Sequence, residues 1–428
     1  MSKLNSDVLY YIFQDLHYLI TANPNNERNF KKSLHHYIII SHLSDNSIKF
    51  LKDENIIEAN FQKQKLSFNY VRFCKYLNKI DEVIPGRYLL KEEIYKLFIS
   101  ECSSIKCLSS DMMSVSICKY PGSNISLSNL YELDIRKYSC TFYHELAQIC
   151  RSIEKIRITI YEETSGIAEL IEMQKQIKYI FIDEYCKCKK INQALEKHVN
   201  SIVHLHLKTN EFFQYDFLLP KLINLQCLRI NDTKHQTRDH RIYLNYYNLQ
   251  ILDLLHISLD IALDIIQNTN GNLWKIKIRL ANCERAKEYN QSIYKYCPNI
   301  KYVTVFLNRK GTLEELEKIF INCQHLVAID IDEKIKKEYY DKFLDLLIKS
   351  APFTLYKLHI DDIDSFSTES LKLFFTNWSK CKSKLHFYDR SNSWYKFFEI
   401  CEGTDAIIKL DYYDDDFWNH EIKWLLEF

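Results

Sequence analysis

The chain has 428 residues, 46% apolar, 14% aromatic and 26% charged, and its 57 Lys and Arg against 56 Asp and Glu leave a formal net charge of +1. Six glycines and six prolines, against usual shares of about 7% and 5%, exclude collagenous and Pro/Gly-rich disordered chains. With no G-x-G-x-x-G, G-x-x-x-x-G-K-S/T or G-x-S-x-G anywhere, the glycine-dependent dinucleotide, phosphate and nucleophile-elbow sites are excluded too.

The first predicted element lies in Leu4-Asn5-Ser6-Asp7-Val8-Leu9-Tyr10-Tyr11-Ile12-Phe13-Gln14-Asp15-Leu16. Leu9, Ile12, Phe13 and Leu16 fall on one face of a helix. Gln14, Asp15 and His17 interrupt the apolar run, so it does not read as a signal peptide. No stretch of about 18 apolar residues predicts a membrane span. The fourteen cysteines then read as reduced thiols of a cytoplasmic or nuclear chain. Residues 61–103 read as two helices, Phe61 to Val83 and Leu89 to Ile99, separated by a Pro85-Gly86 turn.

From Leu130 onward one unit, apolar-x-x-apolar-x-apolar, recurs ten times. It begins Leu130-Leu133-Ile135, Ile153-Ile156-Ile158, Ile177-Ile180-Ile182 and Ile202-Leu205-Leu207. It continues Leu225-Leu228-Ile230, Leu249-Leu252-Leu254, Leu273-Ile276-Ile278 and Ile300-Val303-Val305, and closes with Leu326-Ile329-Ile331 and Leu355-Leu358-Ile360. The nine steps cover 225 residues, a mean of 25, with weaker units at Ile105, Leu385 and Ile407. Between units lie helix-like segments such as 312–320, where Thr312 and Glu315 have the form of a capping box. A strand plus a helix every 20–29 residues or so is leucine-rich-repeat architecture. The predicted fold is therefore an α/β leucine-rich-repeat solenoid with a small all-helical N-terminal head. Its parts are a helical segment at 1–50, a helical connector and cap at 51–103, and an irregular solenoid at 104–428. Cys150, Cys297 and Cys323 each stand three residues before a first anchor, which places them in one layer of the core as small hydrophobes.

Motifs for chemistry are weak. His144-Glu145 opens like a zinc-binding H-E-x-x-H helix but ends in Gln148, so one of the two facing ligands is missing. Cys186 and Cys188 lack a second ligand pair at finger spacing. His235 and His240 sit in a polar stretch, 231–241, read as a solvated loop, and the acidic group Asp411, Asp414, Asp415 and Asp416 lacks the glycine and terminal Glu of a calcium loop. No catalytic residue, metal or cofactor is predicted.

A surface is the better candidate. With the anchors inward, the second and fourth residues after each first anchor face out along the strands. They give Glu132 and Asp134, Lys155 and Arg157, Tyr179 and Phe181, His204 and His206, Cys227 and Arg229, Ile251 and Asp253, Lys275 and Lys277, and Tyr302 and Thr304. Ala328, Asp330, Lys357 and His359 complete the stripe. Aromatics flanked by cations have the composition of interface hot spots. The predicted partner-binding set is Arg157, Tyr179, Phe181, His204, His206, Arg229, Lys275, Lys277, Tyr302 and Thr304. Near-neutral total charge leans against nucleic acid as the partner and suits the mixed charge of a protein-binding face.

The N-terminal segment resembles the first half of an F-box, whose pattern is Leu-Pro-x-Glu-apolar-Leu-x-x-Ile-Phe-x-x-Leu, and a second half follows at Ser33-Leu34-His35-His36-Tyr37-Ile38-Ile39-Ile40. The phrases Gln267-Asn268-Thr269-Asn270-Gly271-Asn272-Leu273 and Tyr296-Cys297-Pro298-Asn299-Ile300 resemble a large fungal family of F-box proteins with irregular leucine-rich repeats. Asn5 replaces the family's Pro, about twelve residues from Thr21 to Lys32 are inserted, and the family's Trp is replaced near Ser44. The resemblance implies a non-catalytic substrate receptor of a cullin-type ubiquitin ligase. Leu4, Val8, Leu9, Ile12, Phe13, Leu16, Leu34 and Ile38 would dock a Skp-family adaptor and its cullin complex, and the strand face would hold a target protein. An adaptor-independent scaffold with a decayed F-box is the alternative.

Overall fold

The computed structural model describes residues 39–63, 69–77, 88–108, 117–136, 140–160, 165–184, 189–209, 215, 217–232, 246–279, 285–307, 310–331, 339–360, 366–381, 385–389 and 407–412. It divides into two compact units, residues 1–159 with 164–177, and 160–163 with 178–428. The adaptor-docking residues Leu4, Val8, Leu9, Ile12, Phe13, Leu16, Leu34 and Ile38 lie outside the described residues, as do Cys186, Cys188, His235, His240 and 414–416.

In the first unit the strands β1 (Tyr76–Leu77), β2 (Cys107–Leu108), β3 (Glu132–Arg136) and β4 (Lys155–Ile160) pair in parallel and in sequence order. Parallel neighbours need a crossover. Helices α1 (Asp45–Asp53), α2 (Tyr88–Glu101), α3 (Ser123–Ser126), α4 (Cys140–Ile149) and α5 (Ser165–Glu172) alternate with these strands or precede them. α1 starts where Ser44 accepts a 3.0 Å bond from the Ser47 amide. That is an ordinary N-cap, which satisfies one orphan donor of the first turn. α4 buries Tyr143, Leu146 and Ala147 and leaves His144 half-buried against Glu169 of α5, so the zinc-like motif is one wall of a helix–helix contact.

The second unit repeats the scheme. β5 (Tyr179–Glu184), β6 (His204–Thr209), β7 (Cys227–Asp232), β8 (Ile251–Leu255), β9 (Lys275–Arg279), β10 (Tyr302–Val305), β11 (Ala328–Ile331), β12 (Lys357–Ile360), β13 (Leu385–Asp389) and β14 (Ile407–Tyr412) pair in parallel, each with the next. The described helices are α6 (Lys189–Leu195), α7 (Leu259–Gln267), α8 (Ala286–Tyr296), α9 (Lys310–Asn322), α10 (Tyr340–Ser350) and α11 (Thr368–Cys381). Between β6 and β7 the chain makes a short 3₁₀ turn, Leu219–Lys221.

This is the α/β leucine-rich-repeat solenoid that the sequence predicts. All thirty anchors of the ten regular units are buried, none more than 2% exposed. A fully buried Leu or Ile contributes about 1.5–3 kcal/mol, and within each unit stacking lets neighbouring repeats share a core. Cys150, Cys297 and Cys323 lie in that core, and the Cys323 thiol donates to the Cys297 carbonyl of the preceding repeat at 3.8 Å.

Two devices fix the stacking. One carbonyl per repeat accepts two successive amides of the next: Gln250 from Trp274 and Lys275 (3.0 and 3.2 Å), Trp274 from Lys301 and Tyr302 (2.8 and 3.1 Å), and Lys301 from Val327 and Ala328 (2.8 and 2.9 Å). The other is an asparagine ladder one residue before the first anchor. Asn224 donates to Asn200 O at 2.8 Å, Asn248 to Ile223 O at 3.4 Å, Asn272 to Tyr247 O at 2.6 Å and Asn299 to Gly271 O at 3.5 Å. Thr354 takes this place in a later repeat, donating to Leu326 O at 2.7 Å.

Three local expectations are corrected. The segment read as a helix from Phe61 to Val83 contains instead a 3₁₀ turn at Tyr70–Phe73 and strand β1, whose Leu77 sits in register with Leu108. Thr312 does not cap α9, which begins at Lys310; Glu315 turns sideways to accept from Gln291 of α8 at 3.2 Å. Asn231 and Asp232 belong to strand β7 rather than to a loop.

Candidate functional site

The period-2 alternation that buries the anchors aims the intervening residues at the opposite face of each strand. In the second unit the strand registers turn these residues into rows. The first runs Tyr179, His204, Cys227, Ile251, Lys275 and Tyr302, and the second Phe181, His206, Arg229, Asp253 and Lys277. The third is Asp183, Lys208, Asn231, Leu255 and Arg279. Strands about 4.8 Å apart stretch each five-residue row across roughly 19 Å.

The rows differ in what they expose. From His204 to Tyr302 the first row is buried, whereas Tyr179 is half-buried. The second row is half-buried throughout, Phe181 to Lys277, and it is flanked by Thr304, Asp330 and His359, all 0% exposed. Of the predicted partner-binding set, Tyr179, Phe181, His206, Arg229 and Lys277 are therefore brought together on an accessible face. His204, Lys275, Tyr302 and Thr304 are not accessible, which corrects the expectation that every outward position faces solvent. Arg157 belongs to the first unit, where it is half-buried and in register with Asp134.

Burial has electrostatic consequences. Desolvation pushes the Lys275 ammonium down to about 7; Asp253 opposes it, while Arg229 and Lys277 push the same way. The His204 imidazole is pushed down to about 4, mainly by burial and then by Arg229. Both groups are held closer to neutral than they would be in water, because low-dielectric surroundings disfavour the charged form.

Aromatic and charged contacts order the accessible row. Phe181 meets His206 edge to face at 4.4 Å between ring centres, and Tyr179 lies 4.9 Å from His204. Arg229 Nε sits 3.2 Å from Asp253 Oδ2, and Lys208 donates to Asp183 at 2.9 Å. At one end a buried network begins. Arg279 Nη2 is 2.6 Å from Asp330 Oδ2, Asp330 Oδ1 is 2.6 Å from His359 Nδ1, and the Thr304 hydroxyl donates to Asp330 at 3.2 Å. Burial alone would raise the Asp330 carboxyl, but Arg279 and then His359 outweigh it and hold the group at about 2.

Within the rows lies a half-open cavity of about 220 Å³, lined by His206, Arg229, Ile230, Asn231, Asp253, Leu255, Lys277 and Arg279. Asn231, Leu255 and Arg279 are absent from the predicted set because they stand six residues after the first anchor, one alternation beyond the second and fourth positions. No group of three or more His, Cys, Asp or Glu that could hold a metal occurs among the described residues. Among them, too, no helix is long and apolar enough to cross a membrane.

No family model matches the sequence, and no curated protein matches it. Among solved structures, the chain is similar to a chain of the Rad7 and Elc1 complex in yeast, with 12% identity, 97% of this chain and 94% of that chain covered, and a TM-score of 0.46. It is also similar to the leucine-rich repeat-containing protein LegL7 from Legionella pneumophila, with 13% identity, 64% of this chain and 92% of that chain covered, and a TM-score of 0.36.

Proposed function

We propose that this chain is a non-catalytic recognition subunit whose second-unit strand face holds a target protein. The observation that carries the reading is the accessible row Phe181, His206, Arg229, Asp253 and Lys277, in register across five strands. It combines an aromatic pair with charges of both signs, the anatomy of a protein-binding hot region, on elements fixed by a shared core. No cofactor takes part, and any chemistry done to the target resides in partners.

The F-box resemblance extends the reading to a substrate receptor of a cullin-type ubiquitin ligase, acting in the cytoplasm or nucleus. The segment 1–50 is the head, 51–103 the connector and 104–428 the receptor. Leu4, Val8, Leu9, Ile12, Phe13, Leu16, Leu34 and Ile38 dock the Skp-family adaptor, which brings the cullin complex. One observation favours the second reading, an adaptor-independent scaffold: Ser44, near the place of the family's Trp anchor, serves as the N-cap of α1. Co-purification with a Skp-family adaptor separates the two. The receptor reading expects the full chain to retain adaptor and the Leu9→Asp/Phe13→Asp variant to lose it. A full chain that retains none, beside an intact F-box protein that does, leaves the scaffold reading.

A further inference from the structure

Two cysteines of the first unit converge on one carbonyl. Val71, in the 3₁₀ turn Tyr70–Phe73, presents an oxygen that accepts the Cys74 amide at 3.1 Å and the Cys102 thiol at 3.0 Å. Cys74 closes that turn and leads into β1. Cys102 follows α2, and its amide donates to the Phe98 carbonyl of that helix at 2.9 Å. The shared acceptor brings the Cys102 sulfur within about 6 Å of the Cys74 amide nitrogen, and a disulfide spans Cα atoms about 4.4–6.8 Å apart. Burial and then the Cys74 thiol push the Cys102 thiol up, so the two sulfurs lie within electrostatic reach of each other.

The two differ in access. Cys102 is 3% exposed, whereas Cys74 is half-buried and meets solvent. An accessible thiol beside a buried one is the arrangement of an attacking cysteine with its resolving partner. Burial also pushes the Cys74 thiol up, to about 11. The thiolate is the attacking form, so the pair reacts slowly at neutral pH and stays reduced until oxidant is plentiful. Cys297 and Cys323 are neighbours too, but both are fully buried and offer a reagent no entry.

We propose that Cys74 and Cys102 are an oxidisable pair, which a small disulfide converts into an intramolecular cross-link. The Cys74 thiolate attacks one sulfur of the reagent; the reagent's S–S bond breaks, a mixed disulfide forms on Cys74 and one small thiolate leaves. Cys102 then loses its proton and attacks the Cys74 sulfur, expelling the second small thiolate. Each departing thiolate takes up one of the two protons, so two protein thiols are oxidised and one small disulfide is reduced to two thiols. The product ties the Tyr70–Phe73 turn and the two-residue strand β1 to the end of α2. It closes a loop of about 27 intervening residues, which removes chain entropy from the unfolded state.

The test incubates the full-length protein with bis(hydroxyethyl) disulfide at pH 9, where thiolate is more plentiful than at pH 7. Remaining thiols are blocked with N-ethylmaleimide, and the protein is digested and mapped by mass spectrometry without reduction. The expected result is a peptide containing Cys74 joined to one containing Cys102, lighter than their sum by two hydrogens, in the majority of chains. The midpoint of thermal unfolding should rise with it and return to its starting value in dithiothreitol. Cys102→Ser keeps a donor for the Val71 carbonyl and should instead retain the small adduct on Cys74. Cys74→Ser, at the half-buried position, should leave Cys102 unmodified and carries the test should Cys102→Ser fail to fold. Wild type that stays unmodified at both cysteines, or that accumulates adduct on Cys74 with no cross-link to Cys102, overturns the pair. Cys102 reacting as readily in Cys74→Ser as in wild type overturns it as well.

Discussion

Replacing Lys275 by Met should stabilise the protein at neutral pH and flatten part of its pH dependence. Lys275 is 1% exposed and its ammonium is held down at about 7, chiefly by burial, whereas an unfolded Lys titrates near 10.4. Between these values the unfolded state binds more protons than the folded state, so stability rises with pH across the window from about 7 to 10.4. Each pH unit of that window is worth about 1.4 kcal/mol, so the buried amine costs roughly 4 kcal/mol at pH 7 and about 2 kcal/mol less than that at pH 9. Met keeps the length and the methylenes of the side chain and has no proton to lose. Urea denaturation of wild type and Lys275→Met at pH 7 and pH 9 measures the difference. The variant should be the more stable at pH 7, and the gap should narrow by about 2 kcal/mol at pH 9. A gap that is the same at both pH values, or a variant less stable at pH 7, refutes the claim that burial holds the Lys275 ammonium down near 7.

Asp330→Asn should destabilise by about 3–5 kcal/mol, because it leaves Arg279 and His359 facing a neutral amide in a buried site. In wild type the Asp330 carboxyl, held at about 2 against roughly 3.9 unfolded, supplies stability that is present above pH 4 and lost as pH falls through 2; acid titration of the melting temperature in both proteins reads this out. Asn272→Ala should cost about 1 kcal/mol by removing one rung of the asparagine ladder, with no change in the denaturant m-value. Cys297 and Cys323, both fully buried, with burial pushing their thiols up, to about 12 for Cys323, should resist Ellman's reagent at pH 8 in the folded protein and react once it is unfolded.

The strand ladder is legible in the sequence because its signal is local. Three inward anchors within six residues, such as Leu249, Leu252 and Leu254, need no knowledge of neighbours to be recognised, and their repetition supplies the stacking. Strand β1 is not legible: Tyr76 and Leu77 are too few for an alternation to show, and the apolar residues around them also fit a helical spacing. The asparagine ladder stands in plain view at Asn224, Asn248, Asn272 and Asn299, one residue before each first anchor, whereas the repeat pattern usually carries its asparagine after the strand. Thr312 and Glu315 match a capping pattern while lying inside α9, because a pair of residue types carries no information about where the helix begins.

The face is legible only in part. Which residues point away from the core follows from alternation. Whether they meet solvent depends on how neighbouring side chains of the face pack on one another, as Trp274 does against Tyr302, Cys227 and Ile251, so Phe181, His206, Arg229 and Lys277 stay accessible while Lys275, Tyr302 and Thr304 do not. The cavity requires the strand registers, since Arg229, Asp253, Lys277 and Arg279 come from three separate repeats and meet only when these strands are aligned.

The central claim is that the accessible row of the second unit is the surface by which this chain recognises a protein. The most direct measurement is a quantitative comparison of proteins retained by wild type and by a folded Phe181→Asp/Lys277→Glu variant, each expressed at equal level in the native cell. The account predicts at least one partner retained by wild type and depleted tenfold or more by the variant, with the unfolding midpoint unchanged. Identical partner sets for the two proteins would contradict it.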